Sequence, residues 1–164
     1  MARSFPFPDP SDLEESPLFA AATRSDSEVL RIFLELGYSA SARRRELTPL
    51  YMAACTGRSE NIRMLLGAGA DPQLRCEEGR TALHAAVESA SPECARLLIA
   101  AGADPNGVDD EGWTALMFAA ERGDTGMVNL LLGAGADRTL RNPHGHCARE
   151  IAREAGHKAL AKRL

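Results

Sequence analysis

Lysine is almost missing from this chain: of its 19 basic residues only Lys158 and Lys162 are lysines, and all others are arginines. The net charge is −4, and "ARRRE" (42–46) is the one arginine cluster. A nucleic-acid-binding surface shows a stronger positive footprint, so no nucleic acid is expected as partner. Aromatic residues make up 5%, too few for a β-sandwich core, which wants aromatic and β-branched side chains. No apolar run reaches the roughly 18 residues that span a bilayer. The Pro-rich start "MARSFPFPDPSDLEESP" lacks the apolar core of a secretory signal. Cys55, Cys76, Cys94 and Cys147 show no CxxC spacing and read as reduced thiols of a cytoplasmic protein. GxSxG, HExxH and P-loop patterns are missing as well, so no enzyme, cofactor or metal is expected.

What is present is a repeat. Apolar residues are 45% of 164, mostly alanine and leucine, enough for one domain with a core of closely packed helices. Three segments align without gaps at a spacing of 33: "TPLYMAACTGRSENIRMLLGAGADPQ" from Thr48, "TALHAAVESASPECARLLIAAGADPN" from Thr81 and "TALMFAAERGDTGMVNLLLGAGADRT" from Thr114. "SPLFAAATRSDSEVLRIFLELGYSAS" from Ser16 matches upstream at an offset of 32, and "CAREIAREAGHKALAKRL" from Cys147 matches the first half downstream.

One unit reads as two helices. Ser16, Thr48, Thr81 and Thr114 are placed to cap a first helix through a side-chain oxygen. Pro17 and Pro49 follow at the first helical position, where a missing N–H costs nothing. The first helix is short and alanine-rich, which allows neighbouring units to approach closely. A break follows near Gly57 and Gly123. The second helix starts at Asp26, Ser91 or Asp124, carries Leu65–Leu66, Leu98–Ile99 or Leu131–Leu132 toward the core, and ends at Gly69, Gly102 or Gly135, residues suited to a left-handed C-cap.

This pattern resembles the ankyrin repeat, whose unit is a turn, a TPLH-type first helix and a second helix ending in GAD. "GRTALHAA" with "AAGADPN" carries the fullest signature. The resemblance implies an all-α solenoid of stacked helix-turn-helix units with β-hairpin fingers along one edge. It divides the chain into an arm at 1–10 and a repeat domain at 11–164, with repeats at about 11–42, 43–75, 76–108 and 109–141 and a capping repeat at 142–164. Three departures stand out: "GYS" replaces GAD in the first repeat, Glu46 replaces the turn glycine of the second, and Cys147 replaces the capping threonine of the fifth. Terminal units of a solenoid are atypical because one face meets water.

In this frame the chemically suggestive residues have structural readings. "HGHC" (144–147) offers three metal ligands at most where zinc normally takes four. The resemblance makes His84 a structural histidine bonding backbone across neighbouring turns. The glycines of "GAGAD" recur because helices end there. Asn106–Gly107 is a deamidation-prone pair.

The resemblance implies protein binding through finger tips and the concave side of the first helices. The positions that map there are Arg44, Arg45 and Leu47 in the second repeat, and Glu77, Glu78 and Arg80 in the third. Asp110, Glu111, Trp113, Glu121 and Arg122 follow in the fourth, then His144 and His146 in the fifth. The fingers run from basic to acidic, which orients a partner of mixed charge. Trp113 is expected to point into the groove, where tryptophan is a frequent hot spot, or to pack on finger neighbours such as Arg80 and His146. The repeats nearly fill the chain. The expected function is therefore a non-catalytic inhibitor, immunity-type protein or adaptor, monomeric when free, that masks or bridges a partner protein. The alternatives are a metal-binding protein using "HGHC" and a nucleic-acid-associated regulator using "RRR".

Overall fold

The computed structural model describes residues 17–164 apart from Asp26 and Arg45. Ser16 and Asp26, expected as caps, lie outside the described residues, as do the N-terminal arm and Arg45. The rest forms helix pairs: α1 (Pro17–Thr23) with α2 (Glu28–Glu35), α3 (Pro49–Cys55) with α4 (Ser59–Gly67), and α5 (Ala82–Glu88) with α6 (Pro92–Ala100). Then come α7 (Ala115–Arg122) with α8 (Thr125–Gly133), and α9 (Ala148–Glu154) with the short α10 (Lys158–Ala161). The first helices stack in the order α1, α3, α5, α7, α9, and α4, α6 and α8 stack behind them.

The two layers differ because their sequences differ. First helices are buried nearly all round: every residue of α3, and Ala115–Ala120 of α7. Alanine makes this possible, since a larger residue at each position would hold the neighbours apart. Second helices bury one stripe only, for example Cys94, Ala95 and Leu98 in α6 and Met127, Val128 and Leu131 in α8, the spacing of an amphipathic helix.

The threonine caps form where the sequence places them. Thr48 Oγ1 accepts from Tyr51 N–H (3.1 Å), and Thr114 Oγ1 accepts from Met117 N–H (3.2 Å). Asp124 caps α8 by accepting from Met127 N–H (2.9 Å). Ser91 precedes α6 without a side-chain cap bond.

Repeats are tied together by polar side chains as well as by the core. Gln73 donates to the Gly102 carbonyl (2.8 Å) and accepts from Asp104 N–H (3.2 Å). Asn106, 33 residues on, donates to the Gly135 carbonyl (3.2 Å) and accepts from Asp137 N–H (2.7 Å). Buried Asn61 donates to the carbonyls of Ala22 and Arg24 (both 2.9 Å), satisfying the end of α1.

The all-α stack is present, while the expected β-hairpin fingers do not reach strand length. No strand forms among the described residues, and only two isolated antiparallel bridges occur, Arg44–Leu47 and Val108–Thr114. The fingers are tight turns closed by a backbone bond, such as Asp109 N–H to the Trp113 carbonyl (3.0 Å) and Asn142 N–H to the His146 carbonyl (3.0 Å). The reason is competition for donors. Asp109 Oδ1 takes the N–H groups of Glu111 (3.0 Å) and Trp113 (2.8 Å), and Asn142 Oδ1 takes those of His144 (3.1 Å) and His146 (3.0 Å). Those N–H groups are then lost to any ladder.

Candidate functional site

The finger edge between the third and fourth units is organised around Arg80. Its guanidinium meets Glu78 (3.2 Å), Glu88 (3.4 Å) and Asp109 (3.8 Å), and it lies over the Phe118 ring at 5.3 Å from the centroid. Only 7% of Arg80 is exposed. Trp113 packs on the same Phe118 ring (5.2 Å) and is 8% exposed. Both residues are thus largely buried, and Trp113 still contributes to the wall of a cleft. Arg80 is held by three carboxylates and a ring. Trp113 rests against Phe118, a residue of α7 that neither sequence reading of Trp113 names.

His84 locks the same region from beneath. Its Nδ1 accepts from Thr81 N–H (3.1 Å), which leaves the proton on Nε2 to donate to the Trp113 carbonyl (3.2 Å). Burial lowers its pKa to about 4, so the ring is neutral at physiological pH, as a structural histidine requires. Burial raises Glu88 to about 7, outweighing the downward pull of Arg80 and Arg122. Burial also pushes the Tyr51 hydroxyl up and the Cys55 thiol up to about 12, so neither is an activated nucleophile.

The remaining positions divide by exposure. Arg44 and Leu47 are half-buried and exchange backbone bonds with each other (3.0 and 2.8 Å). Glu77, Glu78, Asp110 and Glu111 are exposed at the finger tips, as are Glu121 and Arg122 at the end of α7. Asp110 N–H donates to the Glu78 carbonyl (2.9 Å), and the Asp110 carboxylate pairs with Arg75 (2.8 Å), so adjacent fingers are linked. His144 is exposed, and His146 Nδ1 lies 3.4 Å from Glu154. Cys147 is buried at the start of α9, where its N–H donates to Glu150 (2.8 Å). Among the described residues no group of three or more His, Cys, Asp or Glu side chains is arranged to hold a metal ion.

Four of the positions converge. Trp113, Glu121, His144 and His146 line a cleft of about 370 Å³ between the fourth and fifth units, with Ile151 and Ala155 adding apolar wall and Asn142 and Glu154 completing the rim. Sequence reading misses Asp109 and Asn142, the buried organisers of two fingers. The signal was available: an Asp and an Asn spaced 33 apart, each five residues before a helix cap.

Comparison with known proteins identifies the repeat. The family described as "Ankyrin repeats (3 copies)" matches residues 6–76 and again residues 68–142. E3 ubiquitin-protein ligase KEG of Arabidopsis thaliana is 34% identical over 74 residues, 44% of this chain and 5% of that protein. NF-kappa-B inhibitor alpha of Homo sapiens is 51% identical over 41 residues, 25% of this chain and 13% of that protein. Palmitoyltransferase Hip14 of Drosophila melanogaster is 38% identical over 66 residues, 39% of this chain and 10% of that protein. The chain thus spans between 5% and 13% of the length of these relatives.

Proposed function

The chain belongs to the ankyrin-repeat family, and on that footing we propose that it is a non-catalytic protein-binding module. It masks or bridges a partner protein through the concave side of its first helices and its finger tips, as an inhibitor, immunity-type protein or adaptor. The observation that carries this reading is a division of labour along one edge. Arg80, Asp109, Trp113 and His84 are buried and hold the fingers in place, while Glu77, Asp110 and Glu111 stand exposed on them and Glu121 and Arg122 at the end of α7. Charges mounted on a preorganised loop lose little entropy on binding. The three named relatives are a ligase, an inhibitor and a transferase, so the shared segment fits a recognition role better than any one chemistry. No described helix is long and apolar enough to cross a membrane. Four buried free cysteines accord with a cytoplasmic setting, and the free protein is proposed to be a monomer.

The test is affinity capture from the native source with three forms of the protein. Wild type recovers a partner. A concave-edge variant, Glu77→Arg, Glu111→Arg and Arg122→Glu together, loses it. A back-face variant, Arg96→Glu on α6, keeps it. Equal recovery by all three overturns the concave-edge reading.

A further inference from the structure

The cleft between the fourth and fifth units has the chemistry of a cation-receiving pocket. Its wall is apolar, from Trp113 and Ile151, and its rim carries two carboxylates, Glu121 on α7 and Glu154 on α9. No lysine or arginine lines it. Arg122, next to Glu121 in sequence, is instead close enough to Glu88 to lower that carboxyl's pKa. Arg141, on the fifth finger, is engaged by Glu150 at 2.7 Å. Histidines are the nitrogen bases at the cleft: His146 Nδ1 lies 3.4 Å from Glu154, and His144 lines the wall. Two acidic groups therefore face a cleft that no resident arginine or lysine enters, above a wall that suits an aliphatic stem or a flat ring.

We propose that this cleft receives an arginine side chain from an extended segment of the protein partner. The proposal rests on the protein-binding reading above and deepens it. Arginine fits better than lysine on two counts, beyond the apolar stem that both side chains share. Its planar guanidinium stacks on an aromatic face. Its five donors in a fixed fork serve two carboxylates at once, where an ammonium acts as a point charge. The fold supplies the preorganisation: Trp113 is fixed by Phe118 beside it and by His84 on its carbonyl, and Glu121 and Glu154 sit on helices packed against each other.

Trp113 is the only tryptophan of the chain, so its fluorescence and indole N–H resonance report on this cleft alone. The experiment titrates the full chain with the peptide acetyl-Gly-Ser-Arg-Ser-Gly-amide and with versions carrying citrulline or lysine in place of arginine. The arginine peptide is expected to shift the Trp113 signals saturably. Citrulline, which keeps the shape without the charge, is expected to bind at least about tenfold more weakly, the factor of one charge-assisted hydrogen bond. The Glu121→Gln, Glu154→Gln double variant, both substitutions at exposed positions, is expected to lose the distinction between the two. Lysine is expected to fall between them. Equal effects of arginine and citrulline peptides, tighter binding of the lysine peptide, an undiminished response in the double variant, or no saturable shift at all would each overturn the proposal. Capturing the native partner with the same double variant separates the two readings. If capture persists although the peptides fail, the arginine pocket falls and the protein-binding reading stands. If wild type captures nothing, the broader reading falls with it.

Discussion

His84 Nε2 in the third repeat donates to the carbonyl of Trp113 in the fourth, at 3.2 Å, from a ring that is almost fully buried. That bond joins two repeats through a group that must stay neutral. Four residues on, Glu88 sits against Arg80 and is largely shielded from water. These two groups give the protein opposing pH dependences.

His84 is lowered to about 4 by burial, so between that value and its ordinary range the unfolded chain binds more protons than the folded one. Its contribution is complete above the ordinary histidine pKa and is lost as pH falls toward about 4. Glu88 is raised to about 7, so the folded chain binds more protons between the ordinary carboxylate range and about 7. Its contribution is complete at low pH and is lost as pH rises. Across the overlap, about pH 4.5–6.5, the two slopes oppose each other. The expected outcome is a flat stability profile in wild type and a rising one in Glu88→Gln, amounting to about 1–3 kcal/mol over the window. Urea denaturation at stepped pH reads it, and an unchanged slope in the variant contradicts the assignment.

Ala90 occupies the helix-break position at φ +51°, where Gly57 and Gly123 stand at +66° and +71° in neighbouring units. Glu46 occupies the finger-turn position at φ +66°, where Gly79 and Gly112 stand at +70° and +73°. Side chains there carry left-handed strain that glycine relieves. Ala90→Gly and Glu46→Gly are each expected to stabilise by about 0.5–1 kcal/mol, or about 2 °C in Tm. Gly123→Ala is expected to do the reverse, because a Cβ there would lie 2.5 Å from the His157 ring. Calorimetry of the three variants checks the signs.

Asn106 spans two loops by donating to Gly135 and accepting from Asp137. Asn106→Asp keeps the acceptor and turns the donor into a second acceptor facing a carbonyl. A loss of about 1–2 kcal/mol is expected. Spontaneous deamidation at Asn106–Gly107, followed by mass spectrometry on aged protein, is expected to lower Tm in step with its extent. Aged protein with extensive conversion and an unchanged melt contradicts the bridging role.

Arg80→Met removes the cation among Glu78, Glu88 and Asp109 while keeping a long apolar stem on Phe118. Leaving buried carboxylates without it is expected to cost about 3 kcal/mol. Adding Glu88→Gln is expected to restore part of that loss, since one buried charge then no longer lacks its partner. Chemical denaturation of the single and double variants gives the coupling; strict additivity argues against the clamp.

The repeat and its helix caps were legible because they are written as period and punctuation. Thr48 and Thr114 cap where a threonine recurs every 33 residues, and the buried leucines of α4, α6 and α8 sit where the pairs recur. The site was less legible because its positions are aperiodic and their exposure depends on neighbours distant in sequence. Arg80 and Trp113 look like surface residues from their place in a finger. Phe118, on the following helix, takes both against its ring and buries them. Glu121 and Glu154 are 33 residues apart, yet nothing in either helix alone tells that they face one cleft. The fingers stay short of strands for a local reason: Asp109 and Asn142 capture N–H groups that a longer ladder needs.

The proposed partner-binding surface is the concave edge formed by the first helices and the fingers. Hydrogen–deuterium exchange on the captured complex tests it most directly. Slowed exchange is expected in the finger segments 77–80, 108–113 and 141–146 and at the ends of α5 and α7, with α4, α6 and α8 unchanged. Protection confined to α4, α6 and α8, with the fingers exchanging as in the free protein, would contradict it.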